Sequence, residues 1–103
     1  MNIKEEIWIG LIEIKPFLSN SIISQNERAY TNGLVYAISE EDYKNKITLF
    51  LLQIKFHVID IEDAEPLSSR MINFEVDNSI IILSKLLEVN KTPQISTLHV
   101  FEE

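Results

Sequence analysis

The tetrapeptide Ser39-Glu40-Glu41-Asp42 constrains this chain more than any other stretch, because it marks a helix start. The Ser39 hydroxyl can accept a backbone amide as N-cap, and the three carboxylates that follow lie where the helix dipole favours negative charge. Downstream, Tyr43, Ile47, Phe50, Leu51 and Ile54 recur at three- and four-residue intervals. They form one apolar stripe suited to packing on a sheet. Leu49 and Leu52 fall off that stripe, on the face of Glu41, Asp42 and Asn45. Two readings stay open for these leucines: cover by another element of the chain, or availability to a partner.

Extended segments flank the helix. Residues 29–38 carry Leu34, Tyr36 and Ile38 on one side and Gly33, Val35 and Ala37 on the other, which suits a central strand apolar on both faces. Residues 57–61 read as the next strand, so 29–61 fit a right-handed parallel strand–helix–strand crossover. Ahead of this unit, residues 7–14 are rich in β-branched side chains and are closed by Lys15-Pro16. Trp8, Ile12 and Ile14 share one face there, with Gly10 between them. Residues 17–28 have no period and read as a loop or irregular excursion.

Past the acidic run that Pro66 ends, residues 71–76 alternate Ile72, Phe74 and Val76 with Asn73 and Glu75, as a short extra strand would. Asp77 or Asn78 can cap a second helix to about Val89, with Ile80, Leu83, Leu86 and Leu87 on its buried side and 90–93 ending it. The triple isoleucine at 80–82 would also suit a strand. Residues 95–101 close the chain as a strand with Ile95, Thr97, His99 and Phe101 on one face. The expected fold is α+β: a single domain over 1–103, with a mixed four- to five-stranded sheet carrying two helices on one face in a ferredoxin-like layout.

With 46% hydrophobic residues in 103, there is enough apolar material for one core, and the absence of cysteine leaves packing alone to hold it. Sixteen Asp and Glu against nine Lys and Arg give a formal charge of -7. Such a field repels phosphate backbones and anionic lipid and attracts basic partners, so neither direct nucleic-acid binding nor membrane association is expected. The apolar run at 7–14 is preceded by Lys4, Glu5 and Glu6, is interrupted by Glu13, and lacks a small-residue cleavage site. It reads as neither signal peptide nor membrane span. The charge is local: between His57 and Asp77, Asp60, Glu62, Asp63, Glu65, Glu75 and Asp77 are opposed only by Arg70.

No reactive constellation accompanies these charges. His57 and His99 have no His, Cys or carboxylate at metal-ligand spacing, and the acidic string lacks the glycine turn of a calcium loop, so no metal or other cofactor is expected. No serine sits in a nucleophile elbow and no glycine-rich loop could hold a phosphate. Tyr30, Tyr36 and Trp8 could stack on single-stranded bases, but a basic groove is missing. The chain reads as a binding module and not an enzyme. Residues 61–66 are then either a solvated loop or an acidic docking surface for a basic protein. On the second reading the candidate contacts are Asp60, Glu62, Asp63 and Glu65, with Glu41 and Asp42 beside Leu49 as another patch.

The succession of a central strand (30–38), Ser39-Glu40-Glu41-Asp42, and Glu62-Asp63-Ala64-Glu65-Pro66 followed by Arg70 resembles a group of small bacterial single-domain proteins. In particular it is similar to the immunity proteins of contact-dependent growth inhibition systems, including partners of ribonuclease-A-like toxin domains. The resemblance covers about the middle half of the chain and transfers no set of contact residues. It implies a cytoplasmic antidote that binds the basic nuclease domain of a cognate toxin and covers its active site. From a different class, the residues also suit a small-molecule-binding or regulatory ferredoxin-like domain acting as a homodimer through its sheet edges.

Overall fold

The computed structural model describes residues 4–17 and 27–102. Strand β1 (Glu6–Pro16) runs antiparallel to β2 (Glu27–Ala37) in unbroken register, from Glu6 opposite Ala37 to Ile14 opposite Ala29. Then come α1 (Glu40–Gln53), β3 (Phe56–Pro66), α2 (Leu67–Asn73), α3 (Asn78–Asn90), β4 (Gln94–Ile95) and β5 (His99–Glu102). The sheet order is β3-β1-β2-β4, with β5 also on β2, and every pairing among the described residues is antiparallel. The expected mixed sheet is therefore corrected. Strands β2 and β3 do run in the same direction across α1, but β1 lies between them. Its apolar residues point both ways, Ile7 and Ile9 to one face and Trp8, Ile12 and Ile14 to the other, so only a central position buries them.

The same alternation corrects the helix placement and, with it, the ferredoxin-like layout with both helices on one face. Helix α1 packs with Ile12, Ile14, Ala29, Val35 and Phe56. Leu67 of α2 and Ile80 and Leu87 of α3 pack with Ile9 and Leu34, which lie on the opposite face. A sheet whose central strands are apolar on both sides needs a cover on each.

Local signals explain α1. The Ser39 hydroxyl accepts the Asp42 amide at 3.1 Å, and the Asp42 carboxylate accepts the Ile38 amide at 3.0 Å, a reciprocal cap. Tyr43, Ile47 and Leu51 are fully buried, with Phe50 and Ile54 packed beside them. Leu49 and Leu52 are exposed rather than covered. The docking of α1 depends on Gly10 and Gly33, which face each other across β1 and β2. The Tyr43 ring lies over Gly10 and its hydroxyl donates to the Gly33 carbonyl at 2.7 Å. A Cβ on Gly10 would stand 2.8 Å from the Tyr43 oxygen, and one on Gly33 would stand 2.6 Å from Ile12 Cδ1 and 2.9 Å from Ile47 Cδ1.

The acidic run 62–65 is not a loop or turn but the second half of β3, paired with β1 up to Trp8 opposite Pro66. Pro66 leads straight into α2, so 71–76 is not a strand: Met71 to Asn73 finish α2, and Phe74 and Glu75 are exposed on the way to α3. Helix α3 starts as expected, with the Asp77 carboxylate accepting the Ser79 amide at 3.1 Å, and ends at Lys91 with φ 60. Its buried side carries Ile80, Ser84 and Leu87, whereas Leu86 faces out. The closing strand is split because residues 96–98 oppose only Thr31 and Asn32. Ser96 fills the break: its hydroxyl accepts the Asn32 amide at 2.8 Å, and its carbonyl accepts the Thr31 hydroxyl at 2.9 Å. Of the predicted irregular stretch, 18–26 lies outside the described residues, and β2 already begins at Glu27.

Because the Gly33 site has no room for a methyl group, Gly33→Ala should lower unfolding free energy by about 1–3 kcal/mol. Adding Ile12→Val, which withdraws the nearest atom, the Ile12 Cδ1, should recover part of that loss in urea denaturation.

Candidate functional site

Among the described residues, helices cover only half of the sheet face that receives α2 and α3. Those helices sit over Ile7, Ile9, Leu34 and Tyr36. Farther along the same pleats, residues of that parity are Leu11, Glu13 and Lys15 on β1 and Arg28, Tyr30 and Asn32 on β2. Cross-strand pairing adds Asp60 and Glu62 from β3, opposite Glu13 and Leu11, and His99 and Phe101 from β5, opposite Tyr30 and Arg28. No described helix packs over this half.

Three carboxylates therefore meet on one surface: Glu13, Asp60 and Glu62. Glu13 is held in place by Arg28, whose Nη1 donates to its carboxylate at 2.8 Å. Asp60 and Glu62, two residues apart on the outer strand, are exposed. The Asp60 carboxylate, by hydrogen bonding and by charge, pushes the Glu62 carboxyl above its ordinary range, with smaller contributions from Asp63 and Glu13. Glu13, with Glu62 and Asp60 behind it, likewise raises the Tyr30 phenol. Tyr30 stacks on Phe101 with ring centroids 5.2 Å apart, giving the acidic surface a flat aromatic border.

The other predicted contacts separate from this group. The β3 ladder is bulged where Asp63 and Ala64 together oppose Gly10, and Asp63 adopts φ 55. Arg70 ties the bulge down: Nη2 donates to the Asp63 carbonyl at 2.7 Å and Nε to the Glu65 carboxylate at 3.1 Å. Glu65 is thereby neutralised within the fold, while the Asp63 side chain stays exposed. Glu41, Asp42 and Leu49 lie on α1, across the sheet. Asp42 belongs to the helix cap and to an ion pair with Lys46 at 3.1 Å, and the Ile38 amide holds its carboxyl below the usual carboxylate range. Leu49 is 61% exposed beside a groove shared with Tyr36, Phe50 and Lys91.

Glu13, Arg28 and Phe101 were not singled out in the sequence as contacts, and Tyr30 was weighed only for stacking on bases, not as a protein contact. Parity marks Glu13, since it alternates with Ile12 and Ile14, but only the β1–β3 register links it to Asp60 and Glu62. A second feature borders this face, a cavity of about 590 Å³ between α3 and the C-terminal strands, with Asn32, Ile80, Leu83, Ile95 and His99 among its walls. Among the described residues no group of three or more His, Cys, Asp or Glu is arranged to hold a metal ion, and no helix is long and apolar enough to cross a membrane. No family model, curated protein or solved structure matches this chain.

The raised Glu62 carboxyl has a defined consequence for stability. A folded-state value above the unfolded one near 4.5 means the native state binds the proton more tightly, so stability falls as pH rises through that raised value. Glu62→Gln should therefore melt higher than the parent at about pH 7, and the gap should close at about pH 3.5, where Glu62 is protonated in both states. Parallel thermal melts read both effects.

Proposed function

We propose that this chain is an immunity protein that binds a cognate basic toxin domain, a ribonuclease in the reading favoured by the resemblance, and neutralises it by covering its active site. The observation that carries the proposal is the convergence of Glu13, Asp60 and Glu62 on an open sheet face bordered by the stacked Tyr30 and Phe101 rings. A nuclease must be basic where it holds phosphate, and a carboxylate surface of this kind can occupy the same region by imitating that charge. The sheet backbone holds the carboxylates at fixed spacing, so little order has to be gained on binding. Tyr30 and Phe101 offer rigid apolar area beside the charges, the composition in which interface anchors concentrate. In this reading the antidote acts in the cytoplasm and performs no catalysis itself.

Within the original acidic set, the proposal now rests on Asp60 and Glu62, joined by Glu13. Glu65, opposite Ile9, lies toward the half of the face that α2 and α3 cover and is engaged with Arg70, and Glu41, Asp42 and Leu49 belong to the far side of the sheet. A regulatory small-molecule domain is the second reading, favoured by the cavity between α3 and the C-terminal strands. It requires a melting temperature that responds to a metabolite in the absence of any protein partner.

The test is co-purification with the C-terminal domain of the protein encoded immediately upstream, followed by a nuclease assay and calorimetry. A stoichiometric complex that abolishes cleavage is expected, with association slowing as salt rises. Asp60→Lys with Glu62→Lys should raise Kd by at least about tenfold, whereas Glu41→Lys should change it by less than about twofold. An unchanged Kd for the double variant would remove this face from the interface, and absence of any complex would sink the antidote reading.

A further inference from the structure

Helix α3 turns Ile80, Ser84 and Leu87 to the core, yet its outer ridge is also apolar. Ile82, Leu86 and Val89 follow at i, i+4 and i+7, and they are 53%, 45% and 83% exposed. Single exposed apolar residues are ordinary, but three large ones aligned along one helix form a continuous strip, the mark of a contact surface. Met71 of α2, half exposed, widens it, sharing a groove with Ile81, Lys85 and Glu88.

Charge identifies the occupant. The molecule carries -7, but α3 holds one Lys and one Glu, so the ridge is neutral in an acidic protein. A basic partner finds no carboxylate excess there, and an anionic surface finds no lysine cluster. Lys85 and Glu88 lie on the same flank of the ridge, both exposed and three residues apart. A two-fold axis perpendicular to the helix, passing between positions 86 and 87, carries position 85 onto 88 and keeps that flank on the same side. Opposite charges then meet twice while the Leu86 side chains adjoin across the axis.

We infer that α3 is the contact helix of a two-fold symmetric homodimer, in which two copies pack their outer ridges antiparallel and Lys85 of each protomer meets Glu88 of the partner subunit. The interface is isologous, as closed dimers require, and uses self-complementary charge to fix its register. It is one helix wide with Met71 at its margin, so the dimer forms in the micromolar range rather than obligately. This contact is separate from the acidic sheet face and stands or falls independently of the antidote reading.

Sedimentation of the full chain over about 1–300 µM tests it, with the mass expected to rise from monomer to twice that value. Val89→Glu should hold the chain monomeric throughout. Lys85→Glu and Glu88→Lys should each raise the dimer dissociation constant about tenfold, because each converts two attractions into repulsions, and the combined swap should restore it. A parent chain that stays monomeric, or a dimer indifferent to the single swaps or not rescued by the double one, would overturn the inference. Circular dichroism checks that each variant is folded. Should Val89→Glu fail that check, the charge-swap series decides alone, since both of its positions face solvent.

Discussion

The contact between Tyr43 and the glycine pair at positions 10 and 33 is the constraint on which the architecture turns. The two glycines oppose each other across β1 and β2 and leave a notch in an otherwise bulky β-branched surface. A phenol ring fits that notch, and its hydroxyl reaches the Gly33 carbonyl inside the core. Burial pushes the Tyr43 phenol far above its ordinary range, so it is a protonated donor at neutral pH. With the ring in place, Ile47 lies over Gly33 and Leu51 follows one turn later. The register of β1 on β2 and the axial position of α1 are thus fixed by one interlock. Neither glycine has a positive φ. What they provide is the missing Cβ, not backbone freedom.

Much of this was legible in the residues, and the division follows the range of the signal. The start of α1, its buried stripe and the Asp77 cap of α3 are encoded within a few positions, and each stands where periodicity and capping chemistry put it. The course of β3 was not legible. Glu62, Asp63 and Glu65 are poor strand formers by composition, yet an outer strand has one long side and half of one face in water, where carboxylates cost little. The alternation of Ile72, Phe74 and Val76 misled for the converse reason. Arg70, holding the Asp63 carbonyl and Glu65, anchors the α2 turn that follows Pro66, so Ile72 is taken into that helix, and Phe74 and Glu75 only border a groove with Asp63 and Glu65.

The candidate surface shows the same limit more sharply. Asp60 and Glu62 stood out by local charge density, whereas Glu13 sat in an apolar run and Tyr30 in a central strand. Those four residues come from three strands, and only pairing partners spanning nearly fifty positions bring Glu13 to Asp60. Asp42 was singled out by the same charge argument, although its neighbours give it a different occupation, closing the helix cap and holding Lys46. Carboxylates at a helix start and carboxylates on an open sheet look alike in a sequence. What separates them is whether a backbone amide already claims the oxygen.

The irregularity of β3 carries one more consequence. Its rhythm breaks twice along the ladder, at Ile59 between the pairs Glu13–Asp60 and Ile14–Val58, and again at Asp63 and Ala64. A strand recruited from another molecule would need evenly spaced amides and carbonyls over its whole length, and here it would meet a twisted border interrupted at both places and lined with negative charge. Such a border is a poor template for strand addition. Protection against edge-to-edge pairing with another copy is thus built into β3 itself, by its two irregularities and its carboxylates.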